Sequence, residues 1–336
     1  MSRRAETHRT DLAFAEPILA ATAYDQGQHD RLIDEVIAPF WTNCTARTED
    51  SFFWTMRFGA RGEHMKLRFH GPEALADAVR TDLAPALDAF VASLPAEHPQ
   101  PPGSFPAIDP EDARPDPGVG WHFTTFRASP YILGGEPLAE DSTFAALFAK
   151  TQGAMAEWVM SDLAPRYQDG RFSSIRQTCG VQAILAAFSV LPFERTEVIA
   201  YLTYHRDWLT RFVAARNHQS EAQISDILTP LDFKVQRAKK TVAALAQRLD
   251  AGVVPPSFEA WTERISAVYQ HSLVYRDDPR FNLDPYTQNH SFLPLFKTLQ
   301  GSTNQIGFAI SAELWAYHLL LAAAEWQAGA NEAEVA

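Results

Sequence analysis

Between Ser51 and Pro72 the chain reads SFFWTMRFGARGEHMKLRFHGP, and no other stretch narrows so far what it can fold into. Two short apolar runs, Phe52 to Phe58 and Met65 to Phe69, flank a Gly-containing turn at Gly59 to Glu63, the pattern of a β-hairpin with a loop longer than two residues. Strand side chains alternate, so Met65, Leu67 and Phe69 face one way and Lys66, Arg68 and His70 the other. In the first strand Phe52, Trp54, Met56 and Phe58 share a face and leave Arg57 opposite. A register that brings the two polar faces together collects Arg57, Lys66 and Arg68 into a cationic patch. The same residues also read as scattered charge on a solvated sheet face.

Around this hairpin the chain is helical. Residues 1 to 26 read as an irregular arm, followed by a helix from Gly27 to Phe40 with Leu32, Val36, Ile37 and Phe40 at helical spacing. Pro72 opens a second helical stretch through Val91, with Leu75, Val79, Leu83, Leu87 and Phe90 as its core stripe and Pro85 placed to kink or split it. Residues 95 to 120 are rich in Pro and Gly and read as a long loop or lobe connection. A strand from Gly120 to Phe126 follows, then a turn at Ala128 to Glu136 and a helix from Ser142 to Leu163. The second half predicts helices over Gln182 to Leu191, Glu194 to Asn217, Glu221 to Leu249, Ser257 to Val274 and Ser311 to Ala328, broken by Pro192, Pro230, Pro255–Pro256 and Pro285. Strands early, helices late and no βαβ alternation give an α+β fold: N-terminal antiparallel strands packed with a mainly helical C-terminal half. The expected organisation is one domain over residues 1–336, divided as 1–94 (arm, helix and hairpin), 95–120 (Pro-rich loop) and 121–336 (remaining strands and helices).

Charge and motifs then exclude function classes. A formal charge of −12 argues against general nucleic-acid binding, and makes any local basic strip stand out. Two cysteines, Cys44 and Cys179, support neither a disulfide framework nor a zinc ribbon. No run of about 18 apolar residues and no signal segment is present, so a cytoplasmic protein without a membrane span is the default expectation. The chain has no HExxH, GxSxG, P-loop or dinucleotide fingerprint, and its histidines lack metal-site spacing, so neither a metal nor a cofactor is expected. His205, in an HRD triplet without kinase context, reads either as a helix residue or as a catalytic one.

Three segments carry a family resemblance. FFWTMRFGARGEHMKLRFHG resembles the opening strands of the elimination domain of class I lantibiotic dehydratases, the SpaB C-terminal type, where FFIRYxxxxxHLRLRF recurs. FRASPYILGGEPLAEDSTFAALF resembles that family's YxPExxRYGGPEA segment, and LFKTLQGSTNQIGF its SxxHMxxNRLG segment in degenerate form. Their order and spacing span most of the chain. The resemblance implies a stand-alone member, without the glutamylation region of a full dehydratase, similar to those of thiopeptide antibiotic pathways.

Two stand-alone activities are known in such pathways: removal of glutamate from glutamylated Ser or Thr, and a formal 4+2 cycloaddition between two dehydroalanines that closes a macrocycle around a pyridine. The departures from pattern favour the second. Ile132 and Leu133 stand where the eliminase segment has Arg-Tyr, and Gln300 and Gln305 stand where HMxxNR has its histidine and arginine. β-Elimination needs a base and a cation or acid there, and these side chains supply neither. The resemblance therefore implies a pyridine-forming macrocyclase acting on a ribosomally made, leader-bearing precursor peptide. Tyr286, Ser291, Gln300 and His205 are its candidate catalytic residues, and Arg57, Lys66, Arg68, Gln288, His290 and Tyr275 (with Tyr131 as a weaker candidate) would contact substrate. Tyr286 and Ser291 also read as loop residues ahead of the next helix. A basic strip, Lys234, Arg237, Lys239 and Lys240, suits an acidic leader, or is simply a solvated helix face. A glutamate eliminase and a non-catalytic peptide-binding partner are the alternatives, and the oligomeric state is left open.

Overall fold

Alternation over residues 52–70 does produce the hairpin. The computed structural model describes residues 18–19, 26–59, 62–94, 138, 140–166, 172–216, 223–276, 278, 292–308 and 310–326. In it β1 (Ile18–Leu19), β2 (Phe52–Gly59) and β3 (Gly62–His70) form an antiparallel sheet in the order β1-β3-β2. Gly59 pairs with Gly62, so only residues 60 and 61 separate the two long strands. The connection is tighter than the sequence suggests, and an irregularity between Arg57 and Gly59 takes up the difference.

The register corrects the expected cationic patch. Trp54 pairs with Arg68, Met56 with Lys66, and Arg57 with Met65. Directly opposed residues share a face, so the position of Arg57 alternates with those of Lys66 and Arg68 instead of joining them. The polar-to-polar pairing lies one residue away, and a one-residue slip exchanges every side chain between faces. The observed register is stable because helices cover both faces. On one, Trp41 meets Phe53 at 5.0 Å and Phe69 at 6.0 Å between ring centroids. On the other, Trp54 meets Phe148 edge-on at 5.8 Å, and the Arg68 guanidinium lies 4.3 Å over the Trp54 ring, buried at 1% exposure. Arg68 thus serves as a stacked, desolvated cation inside the fold.

Three helical stretches share one device. α1 (Gln26–Leu32) and α2 (Ala38–Asn43) are joined by a π-turn at Ile33–Ile37, and α3 (Glu73–Ala78) and α4 (Ala84–Ser93) by one at Val79–Leu83. α5 (Ser142–Trp158) ends in a third at Val159–Leu163. Each turn is followed directly by Ala-Pro, at Pro39, Pro85 and Pro165. Proline lacks the N–H that the turn before it would accept and its ring crowds that turn's carbonyl. Widening the helix by one residue relieves both, and at Pro85, where a kink or split was expected, the widened turn divides α3 from α4. The stripe Leu75, Val79, Leu83, Leu87 and Phe90 is buried, as the spacing predicts.

The second half supplies α6 (Phe172–Val190), α7 (Arg195–Arg216), α8 (Ile224–Arg237), α9 (Lys239–Ala251), α10 (Glu259–Ser272), α11 (Phe292–Ile306) and α12 (Ile310–Glu325). α6 begins earlier than the expected Gln182. The helix expected over Glu221 to Leu249 divides at Ala238, whereas Pro230 lies within α8 and does not break it. The expected strand at Gly120 to Phe126 and the turn at Ala128 to Glu136 lie outside the described residues. α11 is the central element, packed against β2, α5, α6 and α10. Gly307, at φ +74°, ends it: Gly307 N–H donates to the Asn304 carbonyl and Phe308 N–H to Thr303, a left-handed cap suited to glycine. A buried ion pair between Asp30 and Arg176 ties α1 to α6, and Arg176 also donates to the Ile306 carbonyl at the end of α11. Cys44 and Cys179 form no disulfide.

Candidate functional site

Gln300 to Gln305, the degenerate segment, occupies the last turns of α11, and its polar side chains are mostly turned inward. Gln305 is fully buried. Its Oε1 accepts from the Thr55 N–H of β2 at 3.0 Å, and its Nε2 donates to the Gln152 carbonyl and Oε1 of α5 at 3.0 and 2.8 Å. Gln152 Nε2 returns to the Thr298 carbonyl at 2.9 Å. An N–H only donates and a carbonyl only accepts, so both amide orientations are dictated by their partners. Gly301 makes this approach possible: a Cβ there would sit 2.9 Å from Gln152 Oε1. Ser302 accepts from Trp261 Nε1 at 3.1 Å. Gln300 itself is half-buried on the same helix.

A second buried cluster explains His205. Its ring is fully buried, stacked on Tyr317 at 3.8 Å and edge-on to Phe296 at 4.4 Å, with the Tyr201 hydroxyl 3.3 Å from Nδ1. Burial, then the Lys297 charge, holds its pKa well below the usual imidazole range. Glu313 Oε1 lies 3.7 Å from His205 Nε2 and accepts from the Thr303 hydroxyl at 2.9 Å. Burial pushes the Glu313 carboxyl up to about 8, against the Thr303 hydrogen bond, and burial lowers Lys297 to about 8. His205 and Glu313 therefore face each other uncharged at neutral pH. His205 is a core residue of α7.

A half-buried constellation forms where α5 begins and α10 ends. Asp141 caps α5: its Oδ1 accepts from the Thr143 and Phe144 N–H groups, each at 2.9 Å. Its Oδ2 accepts from His271 Nε2 at 2.8 Å and from the Tyr275 hydroxyl, which also lies 3.4 Å from that nitrogen. Burial alone would raise the Asp141 carboxyl, but hydrogen bonds from Tyr275, the Phe144 N–H and His271 outweigh it and hold its pKa below the usual range. The Asp141 carboxylate thus meets an imidazole and a phenol 130 and 134 positions away in the chain. Of the three, the sequence singled out only Tyr275. The available signals were an i,i+4 His–Tyr pair at the end of a predicted helix and an Asp immediately before another, both weak by themselves.

The other candidates are scattered. Tyr286, Gln288, His290, Ser291 and Tyr131 lie outside the described residues. Arg57 and Lys66 belong to β2 and β3. Lys234 and Arg237 end α8, and Lys239 and Lys240 begin α9, so the basic strip is a corner between two helices. Exposed Phe233 stands on it with the Arg237 guanidinium 4.4 Å over its ring. Among the described residues no group of three or more His, Cys, Asp or Glu side chains is placed to hold a metal ion. No described helix is long and apolar enough to cross a membrane.

No protein-family model matches the chain, and no match is found among curated protein sequences. Solved structures similar to this chain include two that cover nearly all of it. The pyridine synthase TbtD from thiomuracin biosynthesis superposes with a TM-score of 0.60 at 13% identity, covering 96% of this chain and 100% of that one. TsrL superposes with a TM-score of 0.54 at 13% identity, covering 92% and 93%. Over nearly its whole length, this chain has the α+β fold of the pyridine synthase TbtD and of TsrL.

Proposed function

We propose that this chain is a thiopeptide pyridine synthase, joining two dehydroalanines of a leader-bearing precursor peptide by a formal 4+2 aza-cycloaddition and then expelling water and the leader. The observation that carries this reading is the whole-chain likeness in fold to a pyridine synthase. The state of α11 supports it. At position 305, where the resemblance places an eliminase arginine, a buried glutamine has both its N–H groups and its carbonyl oxygen bonded to α5 and β2.

One dehydroalanine reacts as a 2-azadiene through the iminol form of its amide, and the other is the dienophile. Holding two remote parts of one peptide in contact is mainly an entropic task, worth up to about 7–11 kcal/mol when the geometry is ideal. Hydrogen-bonding groups that favour the iminol, with modest acids and bases for the later losses, complete the requirement. Tyr286 and Ser291 are assigned to the reacting amides, Gln300, Gln288 and His290 to substrate contact beside them, and Tyr275, buried with its hydroxyl on Asp141, to orienting that carboxylate. The corner Lys234, Arg237, Lys239, Lys240 is assigned to an acidic leader, drawn to it against an overall charge of −12.

Tyr286→Phe and Ser291→Ala test these roles. Each is expected to slow macrocycle formation at least tenfold while a fluorescent leader peptide binds as it does to the wild type. Unchanged rates in both variants would refute the assignment.

A further inference from the structure

We infer that His271, held by Asp141, is the base that takes a ring proton when the leader is expelled, an inference that rests on the pyridine-synthase reading above. An ionised carboxylate only accepts, so His271 Nε2 must carry the hydrogen it shares with Asp141 Oδ2 at 2.8 Å. In the neutral ring the lone pair then sits on Nδ1. Among the described residues no group hydrogen-bonds Nδ1, and the side chain is 22% exposed. A carboxylate directing an imidazole so that its far nitrogen keeps its lone pair is an arrangement for proton transfer.

Two further features separate this from an ordinary helix cap. Capping α5 needs only Asp141 Oδ1, which already accepts both backbone N–H groups. Oδ2 reaches another helix, where it fixes the imidazole and the Tyr275 hydroxyl together. Tyr275 is a positioning residue in this account. The contrast with His205 is physical: that ring is fully enclosed and stacked, with no route for a substrate proton.

The step balances without any co-reactant. After cycloaddition and loss of water, the leader remains attached through its amide nitrogen to a ring carbon next to a methylene. Nδ1 takes a methylene proton, and that C–H pair becomes the last ring π bond. The C–N bond to the leader breaks with its pair on nitrogen. The imidazolium, its charge facing Asp141, returns the proton to that nitrogen, and the leader leaves as a carboxamide from an aromatic pyridine.

The test uses the full chain and a linear, azole-bearing, dehydroalanine-containing precursor peptide, followed by mass spectrometry. His271→Gln, which keeps an N–H toward Asp141, is expected to slow leader release by about 10²–10³-fold. Leader-bearing species accumulate that no longer add thiols, because their dehydroalanines are consumed. Asp141→Asn keeps a capping oxygen but turns an N–H toward His271, moving the ring hydrogen to Nδ1, and is expected to lose release to a similar extent. Added imidazole is expected to restore release to His271→Ala. Wild-type release in both His271→Gln and Asp141→Asn would overturn the inference and leave the cyclase reading standing. So would equal slowing of every step, with a lowered melting temperature and no imidazole rescue. A wild-type protein that leaves the peptide unchanged would overturn both.

Discussion

Replacing Gln305 by methionine tests what became of the degenerate segment. Methionine has a similar volume, no donor and only a weakly accepting sulfur, so the substitution removes the hydrogen bonds while leaving little cavity. It deprives the buried Thr55 N–H of its acceptor at 3.0 Å and Gln152 Oε1 of its donor at 2.8 Å. The Gln152 main-chain carbonyl, inside α5, keeps its helical partner and contributes little. Each stranded group costs about 1–3 kcal/mol, so Gln305→Met is expected to destabilise by about 2–6 kcal/mol. That is a large part of the roughly 5–15 kcal/mol typical of folded proteins. Gln305→Ala adds about 1–2 kcal/mol for the space left behind. Gly301→Ala drives a Cβ against the same Gln152 amide, so combining it with Gln305→Met costs less than the sum of the two. Urea unfolding followed by tryptophan fluorescence measures these differences. A loss below about 0.5 kcal/mol for Gln305→Met, at unchanged m-value, would refute the reading of position 305 as a structural tie.

Three further outcomes are expected. The folded-state pKa of Glu313 is raised from 4.5 to about 8, so between these values the folded chain holds a proton the unfolded chain has lost. Its stabilisation is complete at low pH and falls as pH rises to about 8, at no more than about 1.4 kcal/mol per pH unit. His205, with its lowered pKa, acts in the opposite sense below neutrality, and Lys297 contributes only above about 8. The stability difference between wild type and Glu313→Gln is therefore expected to shrink from pH 5 to pH 8, and a pH-independent difference in urea midpoints would contradict this. Asp30→Ala strands the buried Arg176 charge and is expected to destabilise by about 3–5 kcal/mol, read by the same unfolding curves. Charge reversal at Lys234 and Arg237 is expected to weaken binding of an acidic leader about tenfold at low salt. The effect should shrink as salt is added, which fluorescence anisotropy would show.

Much of the architecture was legible because it depends on local periodicity. The alternation around Trp54 and Leu67 marked both strands, and the spacing of Leu75 to Phe90 marked a buried helix face. Register was not legible, because with helices on both faces no solvated side marks where the charged residues belong, and Arg68 lies inside, over Trp54. The helical course of α11 was not legible for a related reason. Lys297, Thr298, Ser302, Thr303 and Gln305 have polar side chains, yet all are buried: Ser302, Thr303 and Gln305 bond to other elements, the Thr298 hydroxyl to the Pro294 carbonyl of its own helix, and Lys297 lies against Trp208 and Phe296. Pro230 and the three Ala-Pro steps show that a proline marks a perturbation and leaves open whether the helix ends, widens or continues. The meeting of Asp141 with His271 could not be read at all, since no spacing rule links residues on separate helices so far apart in the chain.

The central claim is tested most directly by giving the protein an equimolar mixture of a glutamylated precursor peptide and its dehydrated, azole-bearing counterpart, without added cofactor, and following both by mass spectrometry. The account predicts that the dehydrated peptide becomes a macrocycle with release of a leader carboxamide while the glutamylated peptide persists. Loss of glutamate from the second peptide with the first unchanged would contradict it.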